Sequence, residues 1–280
     1  MLDLLVSNIL RQVPAPWRRR IIGRSDHPSF VATLAHRILN KISDGNSRSY
    51  ACTGTLDGYQ MYVDWSQFRG FVYDTWEPEV VRRIVSTVRP GMTVVDVGAH
   101  VGYYTLVFAK YVGATGRVIS FEPLPENFAL LKKNVELNQL KHVDLFASAI
   151  FSHSGNLTIS IPDDSNSGGA SVMPLPGGKH RRVQATTLDL VSSDLNLKPD
   201  FIKIDVEGCE FDVLNGSRET IRRCRPQMLI ELHHFDGNLA GHPVPDQLAG
   251  LGYDVDWIER SDWTSHIFAS PRSETLGSAS

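Results

Sequence analysis

The sequence predicts a doubly wound α/β domain, in which helices cover both faces of a mostly parallel sheet. Short, continuously apolar runs have the composition of strands buried on both sides, as in Thr93–Val97, Arg117–Phe121 and residues 201–206. Amphipathic stretches separate such runs, among them Tyr103–Val112 and residues 126–138. This alternation of strand and helix is typical of a parallel sheet built from βαβ units.

The other predicted elements follow the same order. Acids and a proline open a helix at residues 77–79, and an alternating run at residues 58–63 predicts a small hairpin before it. Further along, we expect a strand at 143–150, a helix at 217–224 and a strand at 227–232. The stretch 151–190 breaks the rhythm: it is β-rich around a polar loop at 163–171, and such a loop beside the sheet is a natural place for substrate contact.

Composition narrows the class of protein. The 280 residues contain 28 Lys and Arg against 31 Asp and Glu, a net charge of −3, which excludes a strongly basic nucleic-acid coat protein and predicts no nucleic-acid partner. No run of about 18 apolar residues predicts a membrane span. The 3 cysteines form no C-x-x-C pair, so we expect neither a disulfide framework nor a zinc site, and a cytoplasmic location.

Charge divides the chain into an N-terminal extension and a main domain. Residues 1–50 are basic and carry apolar residues at helical spacing, which predicts a small helical N-terminal extension. This extension is either a cap packed on the main domain or an amphipathic segment with weak peripheral contact to an anionic membrane. Residues 51–272 form the predicted main domain, and the Ser- and Gly-rich residues 273–280 a disordered tail.

The segment after the first buried strand has the pattern of a cofactor loop. It reads D-x-G-x-x-x-G rather than G-x-G-x-x-G, with His100 where a glycine is often found. A dinucleotide favours exposed amides for its pyrophosphate, whereas an acid ahead of the turn suits a ligand with a positive end, such as S-adenosylmethionine. The candidate cofactor residues of this loop are Asp96, Gly98, Ala99, His100, Gly102 and Tyr103.

Two further segments add to this cofactor site. Glu122 ends the second strand, twenty residues after Gly102, where a carboxylate can accept both ribose hydroxyls; capping the helix that follows Pro123 is the alternative role. The small residues at the end of the next strand, including Ser148 and Ala149, leave room for a flat adenine ring.

Acids after the later strands are the candidate catalytic residues. Asp205 and Glu207 would face the same side of an extended segment, and burying two carboxylates together raises the pKa of one, which suits a general base. His233 is the neighbour most able to share a proton at neutral pH. Lys203 either orients these acids or is a packed lysine. With Glu231 the acids could collect Mg²⁺, but acids at strand ends are common and we predict no metal.

Three motifs resemble the FkbM family of S-adenosylmethionine-dependent methyltransferases. They are the run from Asp96 to Thr105, then Phe121-Glu122-Pro123 with Asn127, then the run from Ile204 to Gly208 with Glu210. Trp76-Glu77 resembles the family's aromatic–Glu pair. The family more often has Asn at the position of His100, but both residue types tolerate the unusual φ of such a turn.

The resemblance implies a fold and an activity. The fold is a Rossmann-like class I methyltransferase sheet with an antiparallel last strand, for which residues 253–257 and 266–269 can supply the closing hairpin. The activity is O-methylation of a hydroxyl on a sugar, glycan or related natural product, so the expected partner is a small-molecule or glycan acceptor. In this reading, Asp96 and Gly98 hold the amino-acid end of the cofactor and Glu122 its ribose.

Two other functions remain open at this point. A nicotinamide-dependent oxidoreductase on the same fold would explain the loop and Glu122, but not His100 or the acids after residues 201–206. A non-catalytic methyltransferase-fold binding module would be expected to lose its cofactor residues. The basic run at 179–182 either grips an acidic acceptor or is a solvated strand edge.

Overall fold

The structure is a computed structural model that describes residues 48–161, 171–172, 178–234, 242–260 and 263–273, without the side chains of 48 and 65–67. The predicted helical extension, with its membrane contact, lies outside the described residues up to position 47, as do the tail from 274 and the predicted polar loop at 163–171 except for its last residue, Ser171. The last residues assigned to the extension, from Arg48, instead begin a hairpin strand. None of the helices described is long and apolar enough to cross a membrane.

Twelve strands are described. They are β1 Arg48–Ala51, β2 Gln60–Val63, β3 Thr93–Val97, β4 Arg117–Phe121, β5 Val143–Phe146, β6 Ala149–Ile150, β7 Gly155–Ile161, β8 Lys179–Thr186, β9 Phe201–Ile204, β10 Gln227–His233, β11 Tyr253–Arg260 and β12 Thr264–Pro271.

Eight α-helices connect or precede these strands in the described parts of the chain. They are α1 Trp65–Val72, α2 Pro78–Thr87, α3 Tyr103–Val112, α4 Pro125–Leu137, α5 Leu188–Asp194, α6 Glu210–Asn215, α7 Arg218–Cys224 and α8 Pro243–Gly250, with a short 3-10 helix at Gly54–Leu56.

The central sheet confirms the predicted fold class. Its seven strands lie in the order β11-β12-β10-β9-β3-β4-β5. From β10 to β5 every neighbouring pair is parallel, whereas β12 runs antiparallel between β10 and β11. Alternate residues of the strands enter two cores, with Val94 packed on one face and Val95 on the other. The carboxyl ends of the parallel strands therefore meet at one edge, where open α/β sheets bind ligands.

Some element boundaries differ from those predicted. The strand expected at 143–150 is divided, because β5 ends at Phe146 and β6 leaves the central sheet to pair with β8 and β7 in a separate three-stranded sheet. The strand expected at 201–206 ends at Ile204. Helices α1, α5, α6 and α8 were not predicted; each has 8 residues or fewer, so its helical period is weak.

Glycine at position 98 is required by backbone packing between β3 and β9. Gly98 has a φ of +81°, and a Cβ there would lie 1.7 Å from the carbonyl oxygen of Asp205. Gly102 likewise leaves room for Leu131, whose Cδ1 would lie 2.7 Å from an added Cβ. From the sequence, these two glycines were expected to let the backbone come close to a ligand. In the structure, both of them let other parts of the protein pack closely.

We expect Gly98→Ala to lower the free energy of unfolding by at least about 3 kcal/mol or to prevent folding, because it adds a backbone clash to an unfavourable φ. Gly58→Ala is the matched control, since Gly58 also has a positive φ of +91° but nothing within 4 Å of an added Cβ. The control should lose only about 1 to 2 kcal/mol. Equal losses in urea denaturation would contradict the packing explanation.

Candidate active site

A cavity of about 680 Å³ opens at the carboxyl edge of the central sheet. One side, which we call the loop half, is formed by the loops after β3, β4 and β5 and is lined by Gly98, Ala99, Glu122, Pro123, Ser148 and Ala149. The other side, which we call the acid half, is lined by Trp76, Glu77, Asp205, Glu207 and Glu231. The parallel strands bring both sets of residues to the same edge.

Glu122 is held rigidly in the wall of the loop half. Its two carboxyl oxygens accept hydrogen bonds from the backbone N–H groups of His100 and Leu124, each at 2.9 Å, and Asn127 Nδ2 donates at 3.4 Å. Burial raises the pKa of Glu122 to about 7, although the backbone hydrogen bonds oppose this rise. The result is an oriented acceptor group that faces the cavity, as the spacing after Gly102 predicted, although Glu122 also caps the turn that follows it.

Most of the predicted cofactor residues line the cavity, including His100 and Tyr103, but Asp96 and Gly102 do not. Asp96 is fully buried behind the wall, where Thr105 Oγ1 donates to Oδ2 at 2.7 Å and Oδ1 has no hydrogen-bond partner. Direct contact of Asp96 with a ligand, the expected role, therefore does not fit this geometry. Asp96 can act only through the groups around it.

Lys203 is the group through which Asp96 reaches the cavity. Its Nζ lies 4.0 Å from Asp96 Oδ1 and donates to Asp205 Oδ2 at 3.0 Å. Burial opposes the charged form of Lys203, but the negative charges of Asp205 and Asp96 outweigh it and raise the pKa. Burial likewise opposes ionisation of Asp205, but the charges of Lys203 and His233 hold its pKa below the ordinary value. Lys203 thus orients the acids, which favours the first of its two predicted roles.

Glu207 occupies a strained turn after β9. Its φ of +52° and that of Gly208, +96°, are both left-handed, so Asp205 and Glu207 do not share an extended segment as the sequence suggested. The turn is pinned because Gly208 N donates to Glu210 Oε1 at 2.9 Å and Ser171 Oγ donates to Glu207 O at 2.5 Å. The strain directs the Glu207 side chain, which is 28% exposed, into the cavity.

His233 lies between two carboxylates. Its Nδ1 is 2.8 Å from Glu210 Oε1 and its Nε2 is 3.3 Å from Glu207 Oε2. Burial opposes the imidazolium, but the hydrogen bond to Glu210 and the charge of Glu207 raise the pKa of His233 to about 10. A ring that faces acceptors on both sides holds both protons at neutral pH, so His233 does not fit its predicted role of sharing a proton as a base. It fits that of a charged positioning group.

Glu207 is the better candidate base. Burial raises its pKa to about 8; the charge of His233 opposes this rise, and the charges of Asp205 and Glu231 add to it. A carboxyl with a pKa near the working pH can both accept and release a proton. The raised pKa of Glu207 agrees with the prediction that burying Asp205 and Glu207 together raises the pKa of one of them. The geometry of the turn differs from the extended segment that was expected.

A second histidine cluster was missed by the sequence analysis. His266 pairs with Glu231 across β10 and β12, with 3.3 Å between Nε2 and Oε2, and lies 3.5 Å from Glu77 Oε2. The hydroxyl of Tyr104 also donates to Glu77. Burial opposes the charged form, but the hydrogen bonds to Glu231 and Glu77 raise the pKa of His266 to about 10. No local signal marks this cluster, since its members come from four separate elements.

The acid half contains two groups of side chains of the types that bind metal ions. Glu77, Glu231 and His266 offer ligand atoms within 4.8 Å of one another, and so do Asp205, Glu231 and His233. The same atoms are already engaged with Lys203 and the two histidines, and the absence of a resident metal stays a prediction.

An aromatic wall joins the two halves. Phe71 stacks on Tyr103 with 4.7 Å between ring centroids and meets the edge of Trp76 at 4.9 Å. Phe68 packs against His100 at 5.0 Å, and burial lowers the pKa of His100 to about 4, so this ring is neutral. The cavity therefore offers flat apolar surfaces beside its carboxyl groups.

The basic run at 179–182 lies outside the cavity lining, although Arg181 pairs in register with Ile159, which lines it. It forms the start of β8, its side chains are exposed, and none of them lines the cavity. Arg181 pairs instead with Glu126 at 2.9 Å on the surface. The run fits the solvated strand edge that the sequence analysis considered.

Comparison with known proteins bears on these residues directly. The sequence model of the Methyltransferase FkbM domain matches residues 96–255, which include the loop after β3, Glu122, Glu207 and Glu231. The chain belongs to the FkbM methyltransferase family. This membership confirms the resemblance seen in the three motifs and removes the support for a nicotinamide-dependent oxidoreductase.

Individual relatives of this FkbM methyltransferase are distant. It is 28% identical over 191 residues to Methyltransferase 1 of Beauveria bassiana, and the matched region covers 61% of this chain and 75% of that protein. It is 24% identical over 157 residues to hexuronic acid methyltransferase AglP of Haloferax volcanii, covering 56% and 62% of the two chains. The crystal structure of methyltransferase FkbM from Methylobacillus flagellatus has a TM-score of 0.46 and 17% identity, covering 75% of this chain and 56% of that one.

We expect Lys203→Met to destabilise this FkbM methyltransferase by about 3 to 5 kcal/mol, because it leaves Asp96 and Asp205 as buried charges without a counter-charge. Lys132→Met is the control, since Lys132 is 60% exposed and only 3.9 Å from Glu136 on the same helix. The control should change stability by no more than about 0.5 kcal/mol. Urea denaturation of both variants measures the difference, and a loss below about 1 kcal/mol for Lys203→Met would contradict the role given to this lysine.

Proposed function

We propose that this FkbM methyltransferase transfers a methyl group from S-adenosylmethionine to a hydroxyl oxygen of a sugar, glycan or related natural product. The observation that carries the proposal is a single cavity in which an oriented carboxyl, Glu122, and a carboxyl with a pKa of about 8, Glu207, line opposite halves. The printed name of the Haloferax volcanii relative, a hexuronic acid methyltransferase, supports a sugar-like acceptor. The absence of a nucleic-acid partner and a cytoplasmic location stay predictions.

The residues of the loop half fit the cofactor. Glu122 supplies an oriented acceptor for ribose hydroxyls, and the small side chains of Ser148 and Ala149 leave room for adenine beside Pro123. Asp205, which lines the acid half, supplies negative charge for the positive amino-acid end. When bound, S-adenosylmethionine would supply a methyl group on a positively charged sulfur, which needs no further activation.

Glu207 supplies the proton transfer. When bound, S-adenosylmethionine would supply the methyl carbon to the acceptor oxygen and keep the electron pair of its carbon–sulfur bond, and the Glu207 carboxylate would take the proton of the acceptor hydroxyl. The products are a methyl ether, S-adenosylhomocysteine and a protonated Glu207, so atoms and charge balance. A positioned base of this kind contributes about 100-fold to 10,000-fold in rate.

Other residues keep that base in place. Glu210 accepts from Gly208 N, which fixes the backbone of the turn, and also faces His233, which in turn faces Glu207. The carboxyl of Glu207 is thereby held by its own backbone and by a charged ring. Positioning of this type replaces the entropy cost of bringing base and acceptor together in solution.

We expect Glu122→Gln to weaken S-adenosylmethionine binding by about 30-fold, because it removes charge-assisted hydrogen bonds and presents an amide N–H₂ to backbone donors. Isothermal titration calorimetry measures this change directly. Glu126→Gln, at an exposed position four residues later in α4, is the control and should bind as the wild type does. Unchanged binding by Glu122→Gln would overturn the ribose assignment, and no binding to the wild-type chain would overturn the proposed function.

The raised pKa of Glu207 also predicts a pH dependence. Its carboxyl is mostly protonated below pH 8, and a positively charged ligand favours the ionised form, so affinity for S-adenosylmethionine should rise with pH. Between pH 7 and pH 9 we expect the affinity for S-adenosylmethionine to rise about tenfold more than the affinity for S-adenosylhomocysteine. The second ligand lacks the S-methyl group, and with it the sulfonium charge, but is otherwise the same.

Calorimetric titrations of both ligands across this pH range make the comparison. Glu207→Gln should give both ligands the same pH dependence, whereas the exposed control Glu136→Gln should behave as the wild type does. If the affinities of the wild-type protein for the two ligands change equally with pH, the protonation of Glu207 does not depend on the charge of the ligand, and the prediction is wrong.

A further inference from the structure

The acid half of the cavity carries an unbalanced negative charge. Glu231 is central to it, because its ligand atoms lie within 4.8 Å of Glu77 on one side and of Asp205 on the other. Glu207 continues the line through His233, whose Nε2 lies 3.3 Å from Glu207 and 3.8 Å from Glu231. A ligand in this half would therefore meet carboxyl groups on several sides.

Of the positive charges in the network, only that of Lys203 belongs to a residue that lines the cavity. Seven carboxyl groups share Lys203 and three histidines; the carboxyl groups are Glu77, Asp96, Asp205, Glu207, Glu210, Glu231 and Glu259, and the histidines are His233, His242 and His266. His233 and His266 are not lining residues, and the Lys203 ammonium is bonded to Asp205. If all of these carboxyl groups were ionised, even the single net positive charge of S-adenosylmethionine would leave the network negative, and Glu207 holds its proton at neutral pH.

The raised pKa values of Glu207 and Glu231 agree with this count. Burial is the largest cause for both, and neighbouring carboxylates add to it, namely Asp205 in each case. Both groups hold a proton more tightly than usual because they are buried and face other carboxylates. A cationic ligand would supply positive charge and release the proton.

The acid half also offers aromatic surface. Trp76 and Tyr104 line the cavity next to Glu77, and Phe71 packs on the Trp76 ring. Aromatic faces beside carboxylates bind amines well and also cover the apolar face of a sugar ring. No arginine lines the cavity among the residues that the structure describes, so an anionic group would find no bidentate partner there.

We infer that the acceptor is a polyhydroxylated amine, such as an amino sugar, whose ammonium group lies between Glu77 and Glu231 while a hydroxyl meets Glu207. This inference rests on the proposed function and narrows its substrate class. The carboxylates hold the amine in its protonated form, which has no lone pair to attack carbon, so methylation falls on the hydroxyl. Like charges would exclude a uronic acid, in contrast to the acceptor named for the Haloferax volcanii relative.

A matched set of sugars tests this inference. The probes are the methyl glycosides of glucosamine, glucose and glucuronic acid, with the corresponding galacto and manno series, each titrated by calorimetry into protein saturated with S-adenosylhomocysteine. In at least one series the amine should bind at least about tenfold more tightly than the neutral sugar, because one charge pair at partial exposure is worth that much or more. The uronate should show no binding.

Variants separate charge from shape. Glu77→Gln combined with Glu231→Gln should remove the preference for the amine over the neutral sugar, while Glu126→Gln combined with Glu136→Gln, both exposed on α4, should retain it. Mass spectrometry of the product formed with S-adenosylmethionine should show an O-methyl group and a free amine.

Each contrary result has a defined meaning. Failure of S-adenosylhomocysteine and S-adenosylmethionine to bind overturns the proposed function itself. If the cofactor binds, then equal or tighter binding of the uronates, no preference for the amine in any series, or N-methylation overturns the inference alone. Binding of Mg²⁺ to the cofactor-loaded protein, followed by binding of the uronate, would overturn it in favour of a metal site in the acid half.

Discussion

The architecture of this protein depends on how a buried lysine is neutralised. Lys203 lies in the centre of the sheet, next to Asp96 in the register of β9 and β3, and bonds to Asp205 at the end of its own strand. A buried ammonium is costly unless carboxylates surround it, and each of those carboxylates is costly without the ammonium. The loops after β3 and β9 must therefore stay together, and the close approach of Gly98 to the Asp205 backbone completes that contact.

The same network creates the chemistry of the cavity. Glu210 stabilises a left-handed turn through Gly208 N and keeps His233 charged, while burial and neighbouring carboxylates raise the pKa of Glu207 in that turn to about 8. Strained backbone and uncompensated charge reduce stability, and they are retained where they serve a function. In the proposed reaction, the excess of carboxylates provides both the base and the preference for a positively charged acceptor.

The sequence predicted the parts of this arrangement that depend on local pattern. Strands β3 and β4 and helix α3 have the predicted bounds, because each is a continuous apolar or amphipathic run with clear ends. Glu122 was recognised because its position after a strand is itself a local feature. The roles given to Asp96 and His233 stay predictions that the geometry does not favour, because burial and the number of facing carboxylates decide whether a group contacts ligand or holds a proton.

The amino-acid sequence by itself determined the fold class, the family and the edge of the sheet at which the site lies, since hydrophobic period and motif spacing are properties of the chain in order. Only the tertiary structure decided the electrical character of the site. Glu77, Glu231 and His266 come from separate elements, and β12 brings His266 beside Glu231 only when it inserts antiparallel next to β10. Electrostatic energy depends on distances through space and on burial, and neither can be read from positions along the chain.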